Sequence, residues 1–142
     1  MGCNPARRRP RCPRTVRGVP TLLAIAVGGV LGSLARVGLA QALGGWDTDS
    51  LPWATLTVNL LGALVIGIAA SSRAIAAGPA WRRPFVITGV LGGFTTFSAL
   101  ALETGLLLDD GQVAVAAGYL IVTMVGGLLA VRVGAALVRR QP

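Results

Sequence analysis

The sequence predicts an all-α integral membrane protein with four spanning helices, and three observations carry that prediction. Of 142 residues, 54% are hydrophobic and 13% charged, with a mean hydropathy of +0.71, too apolar for an ordinary soluble enzyme. A spanning helix takes about 20 apolar residues, and four such runs fit, at about 19–43, 51–72, 84–108 and 112–137. All 13 basic residues are arginine, and most of them flank the runs rather than interrupt them.

Residues 1–18 hold Arg7, Arg8, Arg9, Arg11, Arg14 and Arg17 with three prolines. With no apolar face to pack, this stretch reads as a disordered basic tail. The apolar run after it outlasts a cleaved leader and contains Gly28, Gly32 and Arg36, so it reads as the first span. A connector with Gly44, Gly45, Asp47, Asp49 and Ser50 closes at Pro52, where the second span begins. The next connector holds Arg73, Gly78, Pro79, Arg82, Arg83 and Pro84; the last is Asp109-Asp110-Gly111. Connectors this short make successive helices antiparallel neighbours. Gly28 and Gly32, Gly62 and Gly67, Gly89 and Gly93, and Gly126 and Gly127 supply the small residues that let helices approach within lipid.

Several function classes lack raw material. There is no histidine, and Cys3 and Cys12 both lie in the tail, so zinc sites and histidine-based nucleophilic catalysis are excluded. Aromatic residues make up 5% of the chain, too few for a base-stacking platform on nucleic acid. An enzyme is not expected.

The arginines instead predict orientation. With the N-terminus cytoplasmic, the tail places six arginines inside, the second connector adds Arg73, Arg82 and Arg83, and the C-terminus adds Arg139 and Arg140. The outer connectors then carry only Asp47, Asp49, Asp109 and Asp110. Positive charge in short loops stays inside, so a multi-pass cell-membrane protein with both termini cytoplasmic is expected.

Polar groups at membrane depth are costly and therefore functional candidates. Arg36 either snorkels to the interface or draws anions into a vestibule. Asn59 is either interhelical glue or a ligand of a permeant species. In Gly89-Val90-Leu91-Gly92-Gly93-Phe94-Thr95-Thr96-Phe97-Ser98, paired glycines before paired threonines make a poor helix. Either the third span is broken there, freeing carbonyls for a cation, or the threonines back-bond within an intact helix. Glu103 either anchors its span or pairs with an arginine. Tyr119 and Thr123, four apart, form a stripe of hydroxyls continued by Gly127. Donors outnumber carboxylates, which suits an anion better than a cation.

Three motifs make the chain similar to the CrcB/Fluc family of fluoride ion channels: Gly28 to Arg36, Thr55 to Gly62, and Gly89 to Ser98, each in its own span. The resemblance covers essentially residues 22–137. It implies two four-helix subunits inserted in opposite orientations as an antiparallel dimer, with fluoride pores at the interface. It implies a structural sodium ion at a break in the third span, held by the backbone carbonyls of Gly92 and Thr95. It further implies Asn59, Phe97, Ser98, Tyr119 and Thr123 along the pore, with Arg36 in the vestibule. Two positions depart from the family's pattern: Leu100 stands where a second pore phenylalanine is usual, and Gly127 where a hydroxyl often continues the track. Eleven arginines biased to one side also argue against one sequence inserting both ways, so a heterodimer with an oppositely biased homologue is favoured over a homodimer. The alternatives are a non-conducting structural subunit of such a channel and a small multidrug-type proton-coupled exporter. The exporter lacks support because its chemistry needs a carboxylate in the first span, which has none.

Overall fold

The computed structural model describes residues 18–44 and 51–139. Most of the predicted tail, residues 1–17, and part of the first connector, residues 45–50, lie outside them. Among the described residues the chain is all helix and turn. Four helical stretches are long and apolar enough to span a membrane: Pro20–Ala42, Trp53–Ser71, Pro84–Asp109 and Val113–Arg139.

Helix α1 (Gly18–Ala42) ends where Gly44 takes φ +100, a left-handed conformation that glycine adopts without a Cβ clash. Helix α2 (Trp53–Ser71) follows Pro52 and stops at Ser72, whose extended backbone (φ −70, ψ 120) cannot continue it. A single turn, α3 (Arg73–Ala76), opens the next connector. The third span starts at Pro84, which needs no backbone donor in a first turn. It is π-wound through Leu91 and continues as α4 (Gly92–Phe94). Thr95 (φ −76, ψ 152) and Thr96 (φ −141, ψ 121) are extended, and α5 (Phe97–Asp109) follows. The Thr96 hydroxyl caps α5 by accepting from the Ala99 N–H at 3.2 Å, satisfying one orphan donor of the first turn. At the other end Gly111 (φ +73) reverses the chain, with Gly111 N–H donating to Leu108 and Gln112 N–H to Leu107. This paired closure lets α6 (Val113–Arg139) begin two residues later.

Glycines set the helix register. Gly28 and Gly32 of α1 lie against the backbone of Gly89, Val90 and Phe94, so an added Cβ on Gly28 would sit 3.0 Å from Gly89 Cα. Gly126 of α6 lies against Leu60 of α2, Gly67 of α2 abuts Val131, and Gly134 of α6 abuts Leu64 and Ile68. Residue numbers rise together in both pairs. Thus α1 runs parallel to the third span and α2 parallel to α6, while successive spans alternate. The starts of spans one and three and the ends of α2 and α6 therefore share one end of the bundle. A small core of Leu56, Leu100, Leu107, Ala116 and Tyr119 joins α2, α5 and α6.

The candidate permeation site

The two extended threonines order the site. In a continuous helix the Thr96 N–H would donate to the Gly92 carbonyl; here it donates to Asn59 Oδ1 at 2.9 Å. The Ala99 N–H, which would donate to Thr95, is taken by the Thr96 hydroxyl. The carbonyls of Gly92 and Thr95 thereby lose their helical donors. Asn59 Nδ2 closes the pair by donating to the Thr96 carbonyl at 3.0 Å. The asparagine thus clamps one extended residue with both ends of its amide, and one amide hydrogen is unspent among the described residues. Ser33 Oγ donates to the Gly93 carbonyl at 3.4 Å, and Thr95 Oγ1 donates to Leu91 at 2.9 Å.

Beside this clamp lies an open cleft of about 320 Å³ walled by α2, α5 and α6. Asn59, Thr95, Thr96, Phe97, Leu100, Thr123 and Gly127 line it. Phe97, at the first turn of α5, is 72% exposed. The Ser98 side chain is exposed, its Oγ 3.2 Å from Thr96 Oγ1. Thr123 Oγ1 is buried and has no hydrogen-bond partner among the described residues. Arg36 is half-buried and shares a narrow crevice with Thr55, Val58 and Thr96, and it does not line the cleft.

Tyr119 and Thr123, neighbours on one stripe, have separate surroundings. Tyr119 is 1% exposed, and its hydroxyl donates to Glu103 Oε2 at 2.6 Å. Thr55 Oγ1 donates to the other carboxylate oxygen at 2.6 Å. Glu103, 7% exposed, is therefore anchored by two hydroxyls from α2 and α6. Of the two readings of this acid, the structure takes the anchor. Sequence reasoning singled out Glu103 but missed the Thr55–Glu103–Tyr119 cluster, for which the lone acid within a span was the available signal. Leu100, at the position of the family's second phenylalanine, is 2% exposed and packs into the core while flooring the cleft.

Comparison with known proteins identifies the family. The family model described as CrcB-like protein, Camphor Resistance (CrcB), matches residues 23–135. The chain is 43% identical over 122 residues to a fluoride-specific ion channel FluC of Rhodospirillum centenum, covering 83% of this chain and 94% of the relative. Its identity to a FluC of Paracoccus denitrificans is 46% over 114 residues, with 80% and 90% covered. To a FluC of Thermus thermophilus it is 44% over 125 residues, with 85% and 98% covered. A match across all four spans at these identities means that the chain belongs to the CrcB family.

Proposed function

We propose that the chain is a channel subunit that lowers cytoplasmic fluoride by passive export. The observation that carries this reading is the cleft that Asn59, Phe97 and Thr123 line together, beside a buried Thr123 hydroxyl that has no hydrogen-bond partner among the described residues. A small anion crossing a membrane must exchange its water for fixed donors of comparable strength, and none of them may hold it too tightly. The Thr123 and Ser98 hydroxyls and the free amide hydrogen of Asn59 are such donors, and the electropositive edge of the Phe97 ring is a weaker one. Tyr119 continues the α6 stripe behind Thr123. Arg36, in the crevice that also reaches Thr96, raises the potential near the site and concentrates the anion. Both termini face the cytoplasm in this reading, and the membrane potential drives fluoride outward.

The open cleft and the exposed Phe97 support closure by a second, inverted subunit, so the pore is completed at a dimer interface. The one-sided arginines favour a homologue of opposite bias as that partner. The carbonyls of Gly92 and Thr95, relieved of their helical donors, fit a sodium ion. When bound, it supplies a fixed positive charge that satisfies them. The chain's own residues hold that strand: Asn59 clamps Thr96, and Ser33 occupies the carbonyl of Gly93.

Fluoride efflux from proteoliposomes tests the proposal, with the chain alone and with a homologue of reversed arginine bias. Flux is expected with the homologue and is expected to fall in Thr123→Val. Assembly without fluoride flux in either preparation would leave the non-conducting structural subunit as the better reading. Flux from the chain alone, with termini on both membrane faces, would replace the heterodimer by a homodimer.

A further inference from the structure

We propose that the arginine-bearing end of the bundle contains a docking site for the phosphate of an anionic phospholipid headgroup, built on the connector between α2 and the third span. Helix directions bring Arg73, Arg82, Arg83 and Arg139 to one end, all exposed, while Asp109 and Asp110 lie at the other. Among the described residues these arginines therefore face no carboxylate at their own end.

The connector is folded. The Arg82 N–H donates to the Pro79 carbonyl at 2.9 Å. Its Nη1 donates to the Ala74 carbonyl at 3.1 Å. The guanidinium crosses Gly78 so closely that an added Cβ there would lie 2.6 Å from Nη1. One guanidinium donor is spent holding the side chain in place; the others remain available. A planar, pre-positioned guanidinium suits a phosphate better than a mobile point charge does. Arg73 and Arg83 flank it in sequence on the same short connector.

Trp81 fixes the depth. It is exposed, with its ring edge-on to Phe85 at 6.1 Å between centroids and 79° between planes. Phe85 belongs to the third span, so Trp81 sits where a span meets headgroups, the level at which tryptophan is enriched. A phosphate at this depth belongs to the bilayer, and exposed arginines with no carboxylate beside them among the described residues favour a lipid whose phosphate is not already paired with a choline cation.

The probe is a bilayer of phosphatidylcholine with or without phosphatidylglycerol, each lipid carrying brominated chains in turn. Trp46→Phe and Trp53→Phe leave Trp81 as the reporter. Brominated phosphatidylglycerol should quench Trp81 more than brominated phosphatidylcholine at equal mole fraction. The preference should be on the order of fivefold for each arginine engaged. R82Q should lower the preference, and R73Q/R82Q/R83Q should abolish it, with elution and emission in phosphatidylcholine as folding controls. Equal quenching by the two lipids in the arginine-intact protein would overturn the proposal, whatever the variants do. So would a preference that survives the triple variant. Loss of the preference on adding inorganic phosphate, but not chloride at equal ionic strength, would assign the site to a soluble anion and also overturn it. None of these readouts depends on fluoride conduction.

Discussion

Replacing Asn59 with aspartate tests both halves of the site at almost constant volume. The amide donates to the Thr96 carbonyl at 3.0 Å and accepts from the Thr96 N–H at 2.9 Å. Asn59→Asp keeps the acceptor but sets a second oxygen against the carbonyl. A buried acceptor left unmatched costs about 1–3 kcal/mol, more when it is charged, and an ionised aspartate at the centre of a span costs about 2.5–3.5 kcal/mol; a stability loss of about 3 kcal/mol follows. The effect on an anion is larger. Two unit charges about 4 Å apart repel by roughly 4 kcal/mol at an effective permittivity of about 20, a penalty of roughly three decades in occupancy. Fluoride flux should therefore collapse while the fold survives. Asn59→Ala removes both bonds but adds no charge, so it should cost about 1–2 kcal/mol, with no charge effect on the ion. Fluoride-electrode traces from proteoliposomes and thermal midpoints in detergent measure the two effects separately. Asn59→Asp flux within twofold of the unmodified protein would refute the anion-site reasoning, and an Asn59→Ala midpoint unchanged from the unmodified protein would refute the two-point clamp.

Two further outcomes rest on packing and on the buried acid. In Gly32→Ala the new methyl would press on the Val90 carbonyl and lie 2.9 Å from the Phe94 nitrogen, an overpacking cost of about 1–3 kcal/mol. Gly118→Ala enters open space and should gain up to about 1 kcal/mol from helix propensity, so their thermal midpoints should move in opposite directions. A double-mutant cycle of Tyr119→Phe and Glu103→Gln should return a coupling of about 1.5–3 kcal/mol, as for hydrogen bonds to a charged group. Additivity within about 0.5 kcal/mol would show that the 2.6 Å contact contributes no net stability.

The four spans were legible in the sequence because lipid imposes length and hydropathy on any helix that crosses it, and Pro52, Pro84 and Gly111 punctuate the chain beside helix ends. The segregation of arginines from aspartates needed only connector order. The motifs around Asn59 and Phe97 were likewise readable, because polar residues at membrane depth stand out against an apolar background. Pairing was not. Asn59 meets Thr96 across 37 residues, and Glu103 gathers hydroxyls from 48 residues before it and 16 after it. The same register spends the Tyr119 hydroxyl on Glu103 but leaves that of its stripe-mate Thr123, also buried, without a partner among the described residues. Those contacts depend on the sliding position of one helix along another. That position is set where Gly28, Gly32, Gly67 and Gly134 let backbones touch. Hydropathy has a period along a helix but no memory of its neighbour, so only the packed structure decides which polar groups meet and which remain free to bind.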